Sequence, residues 1–177
     1  DPACEGTVYY RQRGILLLAP SLQINLDDRT HRRTAVRLLL AQRPFVLTFA
    51  DGRTLQTRAV LLSPQVDRYE LHAPDTDFAL FDFAVASPEY VALLPLLENR
   101  TLVELEPSVF APLLPRLKSG QDGSLASAEV SALAGKVVQI LTGVHTPPLN
   151  FDARVMVALQ LIEQLPLVDI KLPRLAQ

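Results

Sequence analysis

Up to residue 86 the chain is written in short apolar or alternating runs separated by turn residues, at 7–10, 15–19, 22–26, 35–40, 45–49, 54–62, 68–71 and 78–85. Runs of this length, spaced about ten residues apart with no helical stretch between them, predict strands packed as a sandwich or small barrel. The sharpest local signal is Asp51-Gly52, lying between Phe45-Val46-Leu47-Thr48-Phe49 and Thr54-Leu55-Gln56-Thr57. Asp-Gly supplies the positive φ angles of a tight hairpin, so these two runs are expected to pair.

After Ser87 the apolar period lengthens. Ser87-Pro88-Glu89 combines a capping hydroxyl, a proline where no amide donor is needed and a carboxylate at the positive end of the helix dipole. A short helix is predicted from there to residue 98. Residues 105–118 carry Pro107, Pro112 and Pro115 and admit only broken helical turns. A loop spans 119–124. An amphipathic helix is predicted over 125–142, with Val130, Leu133, Val137, Ile140 and Leu141 on one stripe and Gly143 as its stop. The stripe is widened by Ala134 and Val138; it suits packing on the strands or a subunit interface. His145-Thr146-Pro147-Pro148-Leu149-Asn150 reads as a stiff linker, and beyond it Asp152 caps a helix whose apolar positions are Val155, Ala158, Leu159 and Ile162.

Composition narrows the function classes. The chain has 177 residues, 49% of them hydrophobic and 20% charged, which favours a folded domain over disorder. With 17 Lys and Arg against 19 Asp and Glu, it lacks the basic excess that phosphate neutralisation demands of a nucleic-acid binder. The single cysteine, Cys4, excludes an intrachain disulfide and a Cys-based zinc site. No apolar run is long enough to span a bilayer and the first residues lack the regions of a signal peptide, so a cytoplasmic protein is expected.

Candidate chemistry is sparse. His31, His72 and His145 show no metal-ligand spacing, and there is no glycine-rich phosphate loop and no Gly-x-Ser-x-Gly elbow. Arg37 interrupts Ala35-Val36-Arg37-Leu38-Leu39-Leu40, and Asp82 interrupts Phe78-Ala79-Leu80-Phe81-Asp82-Phe83. A charge within an apolar strand needs a partner or a wet cavity. Two readings follow, a buried Arg37–Asp82 pair or a ligand site. Strand alternation places His31, Arg33 and Arg37 on one face if the extended segment begins by His31, which would make a barrel lumen cationic.

The tail 151–176 then resembles the start of the DNA-binding domain of AraC/XylS-type transcriptional regulators. Asp152, Arg154, Val155, Ala158 and Ile162 fit that family's first helix, and Leu172, Leu175 and Ala176 fit the opening of its first helix-turn-helix. Upstream, residues 14–22, His31, 53–64 and 78–83 resemble the family's cupin-type sensor domain. The resemblance implies an α+β fold: a small cupin-like β-barrel of jelly-roll type over 1–86, a helical dimerisation segment over 87–144, a linker at 145–150, and at 151–177 the first helices of a truncated helix-turn-helix domain. It implies the effector-sensing and dimerisation region of a regulator, not an enzyme, with DNA reached only through the missing C-terminal domain.

On this reading His31, Arg33, Arg37 and Tyr69 bind a small-molecule effector, anionic or hydroxylated, because arginine offers a planar fork of donors and Tyr69 a ring wall with a polar tip. Val130, Leu133, Val137, Ile140 and Leu141 form a homodimer interface. No metal or cofactor is expected, since Arg33 and Tyr69 stand where metal-dependent cupins carry histidines. The alternatives are a metal-dependent cupin enzyme acting on a small metabolite, and a barrel that serves only as a structural platform.

Overall fold

The computed structural model describes residues 6–11, 13–24, 35–66, 69–85 and 87–144. All belong to the first of two units, Asp1–Thr146 and Pro147–Gln177. His31, Arg33, the expected linker at 145–150 and the expected helices of 151–177 lie outside the described residues.

Among the described residues, eight strands form an antiparallel sheet: β1 (Thr7–Arg11), β2 (Gly14–Ala19), β3 (Leu22–Ile24), β4 (Ala35–Phe49), β5 (Thr54–Leu62), β6 (Tyr69–Ala73), β7 (Phe78–Ala84) and β8 (Leu102–Glu104). Their order is β1-β2-β7-β4-β5-β8, with β6 also paired to β4 and β3 paired to β6. This path closes no ring, so among the described residues the sheet is open where a closed jelly-roll barrel was expected. Sheet and helices together make an α+β fold.

The runs at 35–40 and 45–49 prove to be one strand. The first half of β4 pairs with β7 from Ala35 to Ala41, and the second half pairs with β6 from Val46 to Phe49. Between them Gln42, Arg43 and Pro44 are exposed, and β4 runs from Leu40 to Phe45 while β5 runs only from Ala59 to Thr57. Pro44, which has no amide proton, sits where the ladder is interrupted and so costs no pairing. The amides of Gln42 and Arg43 are satisfied outside the ladder, by the Asp77 carbonyl (3.0 Å) and Thr76 Oγ1 (2.8 Å).

The β4–β5 hairpin forms at Asp51-Gly52 as the sequence predicts. Gly52 has φ +83°, and Phe49 N–H donates to the Arg53 carbonyl at 2.9 Å. Asp51 accepts from the Arg53 amide and guanidinium, which hold its carboxyl below the usual range.

The helical half follows its capping signals. Ser87 Oγ accepts from Tyr90 N–H (3.0 Å) to open α1 (Pro88–Leu93), and Pro95 accompanies a tightening to a 3₁₀ turn at Leu94–Leu97. Residues 105–118 make the broken turns their prolines require, a 3₁₀ turn at Pro107–Phe110 and α2 (Leu114–Ser119). A 3₁₀ turn at Gly120–Asp122 leads to α3 (Ser127–Thr142), which Gly143 ends at φ +73°. β1 ties this region to the sheet: Thr7 Oγ1 donates to the Gln121 carbonyl (2.6 Å), and the Tyr9 hydroxyl donates to the Gly120 carbonyl and accepts from Leu125 N–H (3.3 Å).

Two apolar clusters cover the sheet. One joins Leu16, Leu18, Val36, Leu38, Leu40, Phe81 and Phe83 to the helices; the other is an interior lined by Leu39, Phe45, Leu47, Val60, Leu71, Phe78 and Leu80. The α3 stripe belongs to the first. Val130, Leu133 and Val137 are buried there with Ala134 and Val138, while Ile140 and Leu141 pack against it half-buried. The surface expected to meet a second subunit is therefore largely consumed within the chain, where α3 lies against α1 and β1 over the cluster on that side of the sheet. Leu133→Ala is expected to lower unfolding free energy by about 2–5 kcal/mol in urea titration. Leu133→Glu should give an unfolded chain rather than a folded monomer by circular dichroism.

Candidate functional site

The interior cluster ends in a polar row. Strand register sets Arg37 of β4 opposite Asp82 of β7, with Leu62 of β5 beyond Arg37 and Ile15 of β2 beyond Asp82. Arg37 and Leu39 share a face by alternation, as do Asp82 and Leu80, so both charges lie on the interior side with Leu39 and Leu80. These two cross-strand neighbours are apolar, and the Arg37 and Asp82 side chains are each only 12% exposed.

The guanidinium grips Asp82 by a fork. Nε donates to Oδ1 at 2.5 Å and Nη2 to Oδ2 at 3.3 Å. Its third edge, Nη1, donates to the Tyr69 hydroxyl at 2.5 Å. Tyr69 stands on β6 opposite Phe49, its ring 6.2 Å from the Phe49 ring in an edge contact. Arg37 thus ties β4, β7 and β6 together. Burial works against its charge, but the Tyr69 oxygen and the Asp82 carboxylate outweigh that and hold its pKa above the ordinary arginine value.

Of the expected effector residues, the structure unites Arg37 and Tyr69; His31 and Arg33 lie outside the described residues. The pair reading of Arg37 and Asp82 is realised, and Asp82 neutralises Arg37, one of the three residues expected to make the lumen cationic. What the row offers is donors. The Tyr69 oxygen accepts from Arg37, and the phenol's own proton goes to none of the described residues. Two of the five guanidinium N–H groups also remain beyond the three bonds above.

A second buried ion pair escaped the sequence reading. Arg11 Nη2 donates to Glu89 Oε1, with the two side chains 8% and 10% exposed and the guanidinium 6.0 Å from the Phe83 ring centre. Arg11 looks like a strand-end charge and Glu89 like a helix-start charge, and nothing local links positions so far apart. Among the described residues no three His, Cys, Asp or Glu side chains gather as metal ligands, and no helix is long and apolar enough to cross a membrane.

No protein-family model matches this chain, and no curated protein matches it in sequence. Its fold is similar to that of the AraC-like transcriptional activator CuxR, with a TM-score of 0.51 and 14% identity over 89% of this chain. The likeness is one of fold. The match takes in 62% of CuxR, so this chain spans less than two thirds of that protein. ToxT from Vibrio cholerae O395 aligns at a TM-score of 0.42 and 10% identity, over 97% of this chain and 67% of that one. An unsaturated-fatty-acid-bound ToxT from V. cholerae strain SCE256 aligns at 0.42 and 8%, over 95% and 69%.

The pair makes a clean prediction. Arg37→Met removes the guanidinium fork from the buried Asp82 carboxylate and is expected to cost about 3–5 kcal/mol in denaturant titration. Arg37→Met combined with Asp82→Leu should recover most of that loss, the double-mutant cycle reporting a strong coupling.

Proposed function

We propose that this chain is the effector-sensing region of a cytoplasmic transcriptional regulator related to the AraC-like activators, its bent sheet being a cupin-type half-barrel. The observation that carries the reading is the Arg37–Asp82–Tyr69 row at one end of an apolar interior. The CuxR-like fold and the AraC/XylS-like pattern of the tail support it. An effector with carbonyl, hydroxyl or carboxylate oxygens meets the Tyr69 proton and the remaining Arg37 N–H groups, while its body lies against the apolar interior. Because Asp82 neutralises Arg37, recognition rests on hydrogen-bond direction more than on net charge. DNA is bound through further sequence beyond the sensing region, in the proposed arrangement, and the effector modulates that binding.

Oxygen-bearing metabolites should raise the melting temperature of the full chain in a thermal-shift screen, and Tyr69→Phe, which keeps the ring, should abolish the shift for the best of them. An unchanged shift in Tyr69→Phe removes the site from the row, and a screen without any stabilising compound favours the platform reading.

The regulator is proposed to act as a homodimer. With Val130, Leu133 and Val137 turned into the core, what α3 keeps for a second copy is the half-buried Ile140 and Leu141, beside Val144 at 61% exposure. Light scattering should show a dimer that Ile140→Glu weakens without unfolding the chain. A dimer untouched by this change places the contact elsewhere.

A further inference from the structure

We infer that a second ligand site, for a small apolar carboxylic acid, lies on the helical face of the sheet in a cleft between β4, β7 and α2. The cleft measures about 270 Å³. That is close to the lower end of the range of about 300–1,000 Å³ typical of small-molecule sites. Arg37, Asp82 and Tyr69 do not line it: on its sheet side Leu40 and Ala79 belong to the cluster shared with the helices and Phe78 to the interior cluster, whereas Arg37 and Asp82 face the interior with Leu39 and Leu80.

Its origin is a difference in side-chain size. In the row Leu18–Ala79–Leu40 across β2, β7 and β4, Ala79 presents a single methyl between two leucines. The helix opposite begins at Leu114-Pro115, and Leu114, Pro115 and Leu117 close the cleft from that side without filling it.

The polar lining selects the charge of the occupant. Asp77 has both oxygens engaged, Oδ2 by Lys118 Nζ at 3.0 Å and Oδ1 by Gln121 Nε2 at 3.1 Å. A cationic ligand would have to share Asp77 with Lys118, whose ammonium already lies against it. Lys118, 65% exposed, spends one of its three donors on Asp77 and keeps two, and Gln121 keeps its second amide proton. Gln42 adds an exposed amide at the same cleft. The two remaining Lys118 donors and the amide protons of Gln121 and Gln42, beside an apolar floor, suit a compact hydrocarbon or aromatic body that ends in one carboxylate.

The test uses the full chain and three acids, phenylacetate, cyclohexanecarboxylate and hexanoate, with phenylacetamide and phenethylamine as neutral and cationic controls. Calorimetry and thermal melting should show binding of at least one acid in preference to both controls. Lys118→Met should weaken that acid by about tenfold, equivalent to about 1.4 kcal/mol. Leu114→Trp, which fills the cleft from a half-buried position, should abolish binding, while Tyr69→Phe leaves it unchanged. Absence of binding by all three acids, an amine that binds as well as its acid counterpart, or loss in Tyr69→Phe with none in Lys118→Met would overturn the assignment.

Discussion

Strand β4 must be covered on both faces, and that constraint shapes the rest of the molecule. Its first half places Val36, Leu38 and Leu40 on one side and Leu39 and Ala41 on the other, all buried. No single layer can dry both faces of a strand. The helices close one side, and the sheet's own second half, turned at Gln42–Pro44, contributes Phe45, Leu47 and Leu71 to the interior on the other. The register shift between Leu40 and Phe45 is thus as much part of the core's construction as the leucines.

Burial along the strands records this division. β7 is buried on both faces from Phe78 to Phe83, and β5 from Ala59 to Leu62, so their sequences are apolar runs, broken in β7 by Asp82 alone. β6 alternates, with Glu70 and His72 exposed between Leu71 and Ala73, and so does the start of β5. A reader of the sequence can tell central strands from half-exposed ones by this contrast, and can place the Asp51-Gly52 hairpin, the Ser87 cap and the Gly143 stop from local chemistry. Continuity of β4 is hidden because Arg43-Pro44 looks like a terminator; only the surrounding pairing shows that the proline's missing donor falls at an interruption. The short strand β8 is fixed by its pairing with Val60, Leu61 and Leu62, a long-range fact that three residues cannot announce.

The same boundary between local and distant information runs through the candidate sites. Arg37 and Asp82 are conspicuous because each is a charge inside an apolar run, and strand alternation limits the face they occupy. Ownership of the α3 stripe is different. An apolar helix face says that something covers it, but Val130 and Val137 carry no mark distinguishing the chain's own sheet from another subunit. The Arg11–Glu89 pair and the cleft beside Ala79 depend on residues brought together only by the fold, and neither leaves a pattern in the sequence.

A buried ion pair is a poor device for stability alone. Removing Arg37 and Asp82 from water carries a desolvation cost that their attraction only roughly offsets, and well-packed apolar residues of similar volume often serve as well or better. The pair therefore needs a reason beyond holding β4 to β7, since the backbone ladder from Ala35 to Ala41 already does so. Geometry supplies one in the proposed role. Fixed by Asp82 on two edges, the Arg37 guanidinium cannot turn, so its third edge holds the Tyr69 oxygen and orients the phenol. A ligand oxygen meeting that phenol encounters a donor already set in place, with little side-chain freedom left to lose on binding.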